Sequence, residues 1–207
     1  MTDAYRFDES STEQAIAYAK IYAGENYFPA METVLKVAFS EKRNLPTFRL
    51  KSSDTILLSG YMKKWVGAYL AGYNNRPSVR TGNCSGTHPD PMAKTILRAR
   101  IPGLENNLAD KIVAGHSLLM TIENNIGELL EEYLAVKLSP LGWYCCWGST
   151  IDAVDFCKAD GSLLQIKTSD NSENSSSSRV RQGTPIGKWF RRFSRRPGVY
   201  NLSLIHI

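Results

Sequence analysis

From Trp143 onward the apolar residues of this chain stop recurring at helical spacing and begin to alternate. "WYCCWG", "TIDAVDFCKA" and "SLLQIKT" read as short strands, and Asp160-Gly161 is the turn between the last two. The stretch before them, "SLLMTIENNIGELLEEYLAVKL", carries Leu119, Ile122, Ile126, Leu130 and Leu134 as the apolar stripe of a helix from about Asn107 to Leu138, which Pro140 and Gly142 end. A long helix feeding a β-hairpin calls for a sheet covered by helices, an α/β core, and not a helical bundle.

N-terminal to this the pattern is helical from Ser10 to about Arg100. "SSTEQAIAYAKIYA" opens on a Ser/Thr cap, and "PAMETVLKVAFSEK" has Pro29 near its start. "SSDTILLSGYMKKWVGAYLAGY" has Asp54 as a cap and Ile56, Leu57, Tyr61, Trp65 and Tyr69 toward a core. "NNRPSVRTGNCSGTHPDP" is a long loop, and long ordered loops in compact domains are often functional. The expected organisation is a helical region over residues 1–100 and an α/β core over residues 101–201. The last six residues, "LSLIHI", are the in-frame translation of the transposase adapter CTGTCTCTTATACACATC, so Leu202 to Ile207 read as a sequencing scar and the natural C-terminal segment is expected beyond Asn201.

With 207 residues, 43% of them hydrophobic and 22% charged, the chain can bury one core of ordinary size. No apolar run approaches the roughly 18 residues of a membrane span, and "MTDAYRFDESS" has neither the basic nor the apolar part of a leader, so a cytoplasmic protein is expected. Cys84, Cys145, Cys146 and Cys157 show no CxxC spacing, which favours buried thiols over zinc or disulfides. The net charge of +5 is concentrated at one end: between Asn174 and Arg196 there is no acid, while Arg179, Arg181, Lys188, Arg191, Arg192, Arg195 and Arg196 are basic. Such a block marks a polyanion-binding surface.

One face of the hairpin carries chemistry. Gln165 and Lys167 lie two residues apart on a strand and project together, while Ile166 turns into the core. Asp152 or Asp155 on the preceding strand adds a carboxylate. A carboxylate, an amide oxygen and a lysine are the layout of a metal-dependent phosphodiesterase: Mg²⁺ takes hard oxygen ligands and keeps positions for water and phosphate. Lys167 would hold the attacking water and offset charge on the phosphorane. An unbulged two-residue turn at Asp160-Gly161 puts Asp152 on the Gln165 and Lys167 face, and a single bulge swaps in Asp155. Glu123, Gly127 and Glu131 share one stripe of the preceding helix, which makes Glu131 a further candidate ligand.

The string "IDAV…DG…LLQIK" resembles the Mrr-type and RecB-type members of the PD-(D/E)XK nuclease superfamily. "GWYCCW…VDFC…DGSLLQIK…NSENSSSSRVR…GTPIGKWFRR", with "PSVRTGN" and "THPDP" upstream, resembles the SinI family of type II restriction endonucleases over about Pro77 to Arg196. The resemblance implies a restriction-endonuclease-like α/β core, a mixed sheet flanked by helices, and Mg²⁺-dependent double-strand cleavage of DNA at a short GC-flanked site, expected to be GGWCC. Asp152 fits the Ile-Asp-x-Val pattern of the wider superfamily and Asp155 lies in the VDFC of the closer family, so both stand as candidate metal ligands beside Gln165. Cutting both strands of a palindrome favours a homodimer by symmetry. A restriction enzyme also needs a cognate DNA methyltransferase encoded nearby.

Directly after Lys167 come Asn171, Glu173, Asn174, Ser175, Arg179 and Arg181, all able to read base edges or phosphates. "TPIGKWFRRFSRR" reads as a helix with Thr184 as cap, Pro185 in its first turn and Ile186, Trp189, Phe190 and Phe193 on one apolar face, leaving Lys188, Arg191, Arg192, Arg195 and Arg196 for phosphate. Arg76, Arg80 and His88 would clamp the other side of the duplex. Two rival readings are an Mrr-like or repair nuclease that reads modification or structure, and a DNA-binding module in which Gln165 marks a decayed site.

Overall fold

The structure is a computed structural model that describes residues 7, 11–48, 57–80, 90–170, 185–196 and 198–201. Asn171, Glu173, Asn174, Ser175, Arg179, Arg181 and His88 lie outside the described residues, as does the adapter-like tail. Helices α1 (Thr12–Ala23), α2 (Pro29–Ser40) and α3 (Leu58–Asn74) pack together first. Ala15, Ala19 and Ala23 fall on one side of α1 at four-residue spacing and are buried against this group, small enough to let α1 lie close to α3. Tyr61, Trp65 and Tyr69 of α3 are fully buried as their spacing implies, whereas Leu57 stays exposed at the helix start. The cluster does not stop at the helices: Cys146, Ile151, Val154, Cys157 and Leu163 from the sheet side complete the same core.

Helix α5 (Asn106–Leu138) then leads into a four-stranded mixed sheet in the order β1 (Trp143–Cys145), β2 (Phe156–Lys158), β3 (Leu163–Lys167), β4 (Ile186–Phe190). The first three strands form an antiparallel meander and β4 runs parallel to β3. Alternation along β3 divides its side chains: Leu163 joins the core of the N-terminal helices, while Leu164 and Ile166 meet Leu134, Leu138 and Trp189 on the α5 side.

The segment around Trp189 corrects the expected C-terminal helix: "IGKWF" is the strand β4, with Trp189 buried opposite Ile166, Phe190 half-buried and Phe193 exposed. A proline followed by aromatic residues serves a strand start as well as a helix start, and pairing with β3 decided it. The α5 stripe also differs. Leu134 is buried and Leu130 packs at the core margin, but Leu119 and Ile122 are exposed, because the first half of α5 leaves the sheet and pairs with α4 (Pro91–Arg100), tied by Lys94 and Asp110 at 2.7 Å.

A close crossing fixes the segment between β1 and β2. Added Cβ atoms would lie 2.4 Å from Gly148 N at Gly72, and 2.0 Å from Ala68 O at Gly148, whose φ is also +70°. Two glycines thus let the 147–150 turn sit directly on α3. Trp65 seals the contact by donating from Nε1 to Thr150 O at 2.9 Å.

Candidate active site

The β2–β3 hairpin sets the site. Lys158 N–H donates to Ser162 O and Gly161 N–H to Lys158 O, and Gly161 has φ +88°, so the loop holds three residues and ends in a left-handed glycine. That is the bulged hairpin, not the unbulged two-residue turn. Its register pairs Phe156 with Leu164, which brings Asp155 level with Gln165. Asp155 N–H donates to Leu164 O at 3.0 Å, and its Oδ2 accepts from Ile166 N–H at 2.6 Å. Asp152 sits elsewhere, half-buried in the turn before β2, with its N–H donating to Asn44 O at 2.9 Å.

Glu131 approaches from α5. Burial and then the charge of Asp155 push its carboxyl up to about 8, with Lys167 pulling the other way. Burial likewise raises Asp155, opposed by the Ile166 N–H and by Lys167. Two half-buried carboxyls, both raised by desolvation and Glu131 also by the charge of Asp155, stand beside Lys167 as a group short of positive charge. Gln165 is buried, and its Oε1 has no hydrogen-bond partner among the described residues. A buried amide oxygen left without a donor costs about 1–3 kcal/mol. Two carboxyls and one unpartnered amide oxygen are all hard donors, so the residues present fit a divalent cation such as Mg²⁺. Among the described residues no group of three or more His, Cys, Asp or Glu side chains gathers, so the amide oxygen is needed to complete the set.

The acid pair has a consequence for stability. A carboxyl whose folded pKa lies above its unfolded value binds its proton more tightly when folded, so stability falls as pH rises from the ordinary carboxylate range toward the folded pKa. For Glu131 that window runs from 4.5 to about 8. Metal-free protein is expected to lose thermal stability across this window, and Glu131→Gln to flatten the loss. A melting temperature that climbs from about pH 5 to pH 8 in the wild type would contradict the coupling.

The basic residues divide. Lys188 is exposed on β4, paired in register with Gln165. Arg191 donates its backbone N–H to Lys167 O at 2.9 Å and lays its guanidinium over Tyr200, 5.2 Å from the ring centre. Arg192 pairs with Tyr200 in an isolated bridge, and Arg195 is exposed beyond it. Arg76 and Arg80, offered above to phosphate, face carboxylates instead: Arg76 lies 3.5 Å from Glu132 and Arg80 pairs with Glu128. Glu132 also accepts from Ser78 N–H at 2.9 Å, so α5 holds the loop after α3 with the acids next to Glu131. Sequence reasoning missed this tie. Its one signal in the sequence is that Glu128 and Glu132 flank Glu131 on the same helix.

A mixed sheet follows a long helix, and at their junction Asp155 and Lys167 lie close enough to Glu131 to act on its charge. Residues 55–205 match the SinI restriction endonuclease family, and the chain belongs to it. Two relatives are the type II restriction enzyme SinI of Salmonella infantis, 47% identical over 115 residues, and the type II restriction enzyme Eco47I of Escherichia coli, 45% identical over 115 residues. In both comparisons the matched stretch is 53% of this chain and 50% of the relative, so the chain spans about half the length of the relatives it matches.

Proposed function

We propose that this chain carries the catalytic core of a type II restriction endonuclease that makes Mg²⁺-dependent double-strand cuts in DNA, with GGWCC as the expected site. The observation that carries the reading is the Asp155, Glu131 and Lys167 group, with Gln165 level with Asp155 in the hairpin register and its Oε1 buried and unpartnered among the described residues. The strand order, an antiparallel meander plus a parallel fourth strand with α5 entering before it, supports a PD-(D/E)XK core. On this reading residues 101–201 form the nuclease core and the helices of residues 1–100 cover one face of its sheet.

Asp155, Gln165 and Glu131 would hold the cation, which when bound supplies Lewis-acid polarisation of the scissile phosphate and a more acidic water. Lys167 holds the attacking water and offsets charge developing on phosphorus. Lys188, Arg191, Arg192 and Arg195 meet backbone phosphates, while Asn171, Glu173, Asn174, Ser175, Arg179 and Arg181 read bases or phosphates. The protein acts as a homodimer in the cytoplasm, alongside a cognate methyltransferase. No helix among the described residues is long and apolar enough to cross a membrane.

Plasmids with and without GGWCC, incubated with the purified protein with and without Mg²⁺, test this, followed by sequencing of the ends. Uniform ends at GGWCC, formed only with metal, are expected. Cleavage that follows methylation or DNA structure would instead favour the Mrr-like reading, and retention of DNA without cleavage in any metal would favour the binding module.

A further inference from the structure

Helix α5 turns a second apolar stripe away from the sheet. From Leu108 the steps run four, three, four, three through Ile112, Gly115, Leu119 and Ile122. The same alternation continues through Ile126, Leu129 and Tyr133 to Val136. Apart from Gly115 and Ile126, these side chains are between 40% and 69% exposed. Alternating steps of four and three average 3.5 residues, the repeat of two helices wound around each other, and not the 3.6-residue repeat of one helix lying on a globular core. Glu131 and Leu138 point to the site and the sheet from the opposite side of α5, so the stripe is not a misplaced part of the core.

We propose that this stripe is a dimer seam, on which α5 of a second copy of the chain packs antiparallel with the two-fold axis at Ile122. The stripe is about 42 Å long, so its occupant is a helix of similar length. Among the described residues α5 is the longest helix, and the next longest, α3, is committed to the core. Seven of its nine side chains are 40% or more exposed, a row long enough to supply much of the roughly 800 Å² that each partner of a stable interface buries.

Sequence sets the direction. With the axis at Ile122, Leu108 meets the partner's Val136, Ile112 the partner's Tyr133, Gly115 the partner's Leu129 and Leu119 the partner's Ile126, so every seam position is used and the glycine receives a large side chain. A parallel pair would set Gly115 against the partner's Gly115 and leave a void. In the antiparallel pair Glu123 lies beside its own copy at the axis, as an exposed pair that water screens. This proposal deepens the homodimer of the proposed function, and its failure is separable from failure of the nuclease reading because mass and cross-linking are read without DNA.

Sedimentation of the purified chain at micromolar concentration is expected to give a dimer. Leu119→Glu combined with Ile122→Glu should raise the dissociation constant about a hundredfold or more while leaving the circular dichroism spectrum unchanged. In a Cys84→Ser background the three remaining cysteines are buried, and Ile122→Cys should cross-link to its own copy on oxidation. Gly115→Cys, where an added Cβ meets nothing within 4 Å, should cross-link only when mixed with Leu129→Cys. A monomeric wild type at tens of micromolar, a dimer that survives the double substitution, or Gly115→Cys joining to itself as readily as Ile122→Cys would each overturn the proposal.

Discussion

Lys167→Ala is expected to reduce DNA cleavage by at least about a hundredfold, the usual loss when one positioned electrostatic group is removed from a transition state. Its ammonium is the positive group whose field opposes the raised pKa values of both Glu131 and Asp155. Removing it would leave Glu131 and Asp155 without that opposing charge, and the attacking water without its proposed holder. The backbone bond from Arg191 N–H to Lys167 O does not depend on the side chain, so β3 and β4 stay paired and the fold should persist. DNA binding in Ca²⁺ is therefore expected to stay close to wild type while cleavage in Mg²⁺ is lost. A variant that still cuts at nearly the wild-type rate would remove the hairpin from the mechanism.

The layout of the candidate site was partly legible because it rests on strand alternation. Gln165 and Lys167 had to share a face whatever the register, and the helix period offered Glu131 as a candidate without assigning it a role. What sequence could not decide was a matter of single residues and of tertiary contact. The Asp160-Gly161 turn admits two loop lengths, and only the left-handed Gly161 in a three-residue loop brings Asp155 level with Gln165. "IGKWF" suits a helix or a strand, and its parallel partner lies more than twenty residues away, out of reach of any local pattern. Arg76 and Arg80 looked like phosphate ligands because their carboxylate partners stand on α5, some fifty residues along the chain. On α5 itself apolar residues lie on two stripes, and a single period could not say which one meets the sheet.

Asp155→Asn and Asp152→Asn should then behave as opposites. Asparagine at 155 keeps an oxygen to accept the Ile166 N–H, so β2 and β3 stay joined, but it removes a charge from the proposed metal group. Losing a direct ligand should weaken Mg²⁺ binding at least as much as the 10–100-fold typical of losing an outer partner, and cleavage should fall with it. A second readout needs no DNA. The Asp155 charge helps to hold Glu131 up at about 8, so its removal should bring Glu131 back toward the ordinary carboxylate range and shrink the loss of thermal stability between about pH 5 and 8. Asp155→Asn is therefore expected to be inactive, folded and, at the upper end of that window, no less stable than wild type. Asp152 lies outside the register that pairs Asp155 with Gln165, and asparagine keeps its backbone N–H to Asn44 O, so activity should remain within a few-fold of wild type. Calorimetric Mg²⁺ titration, melting curves across pH and cleavage assays on the two variants separate the aspartates. Full activity in Asp155→Asn, or loss of Mg²⁺ binding in Asp152→Asn, would move the metal group away from the bulged register of the hairpin.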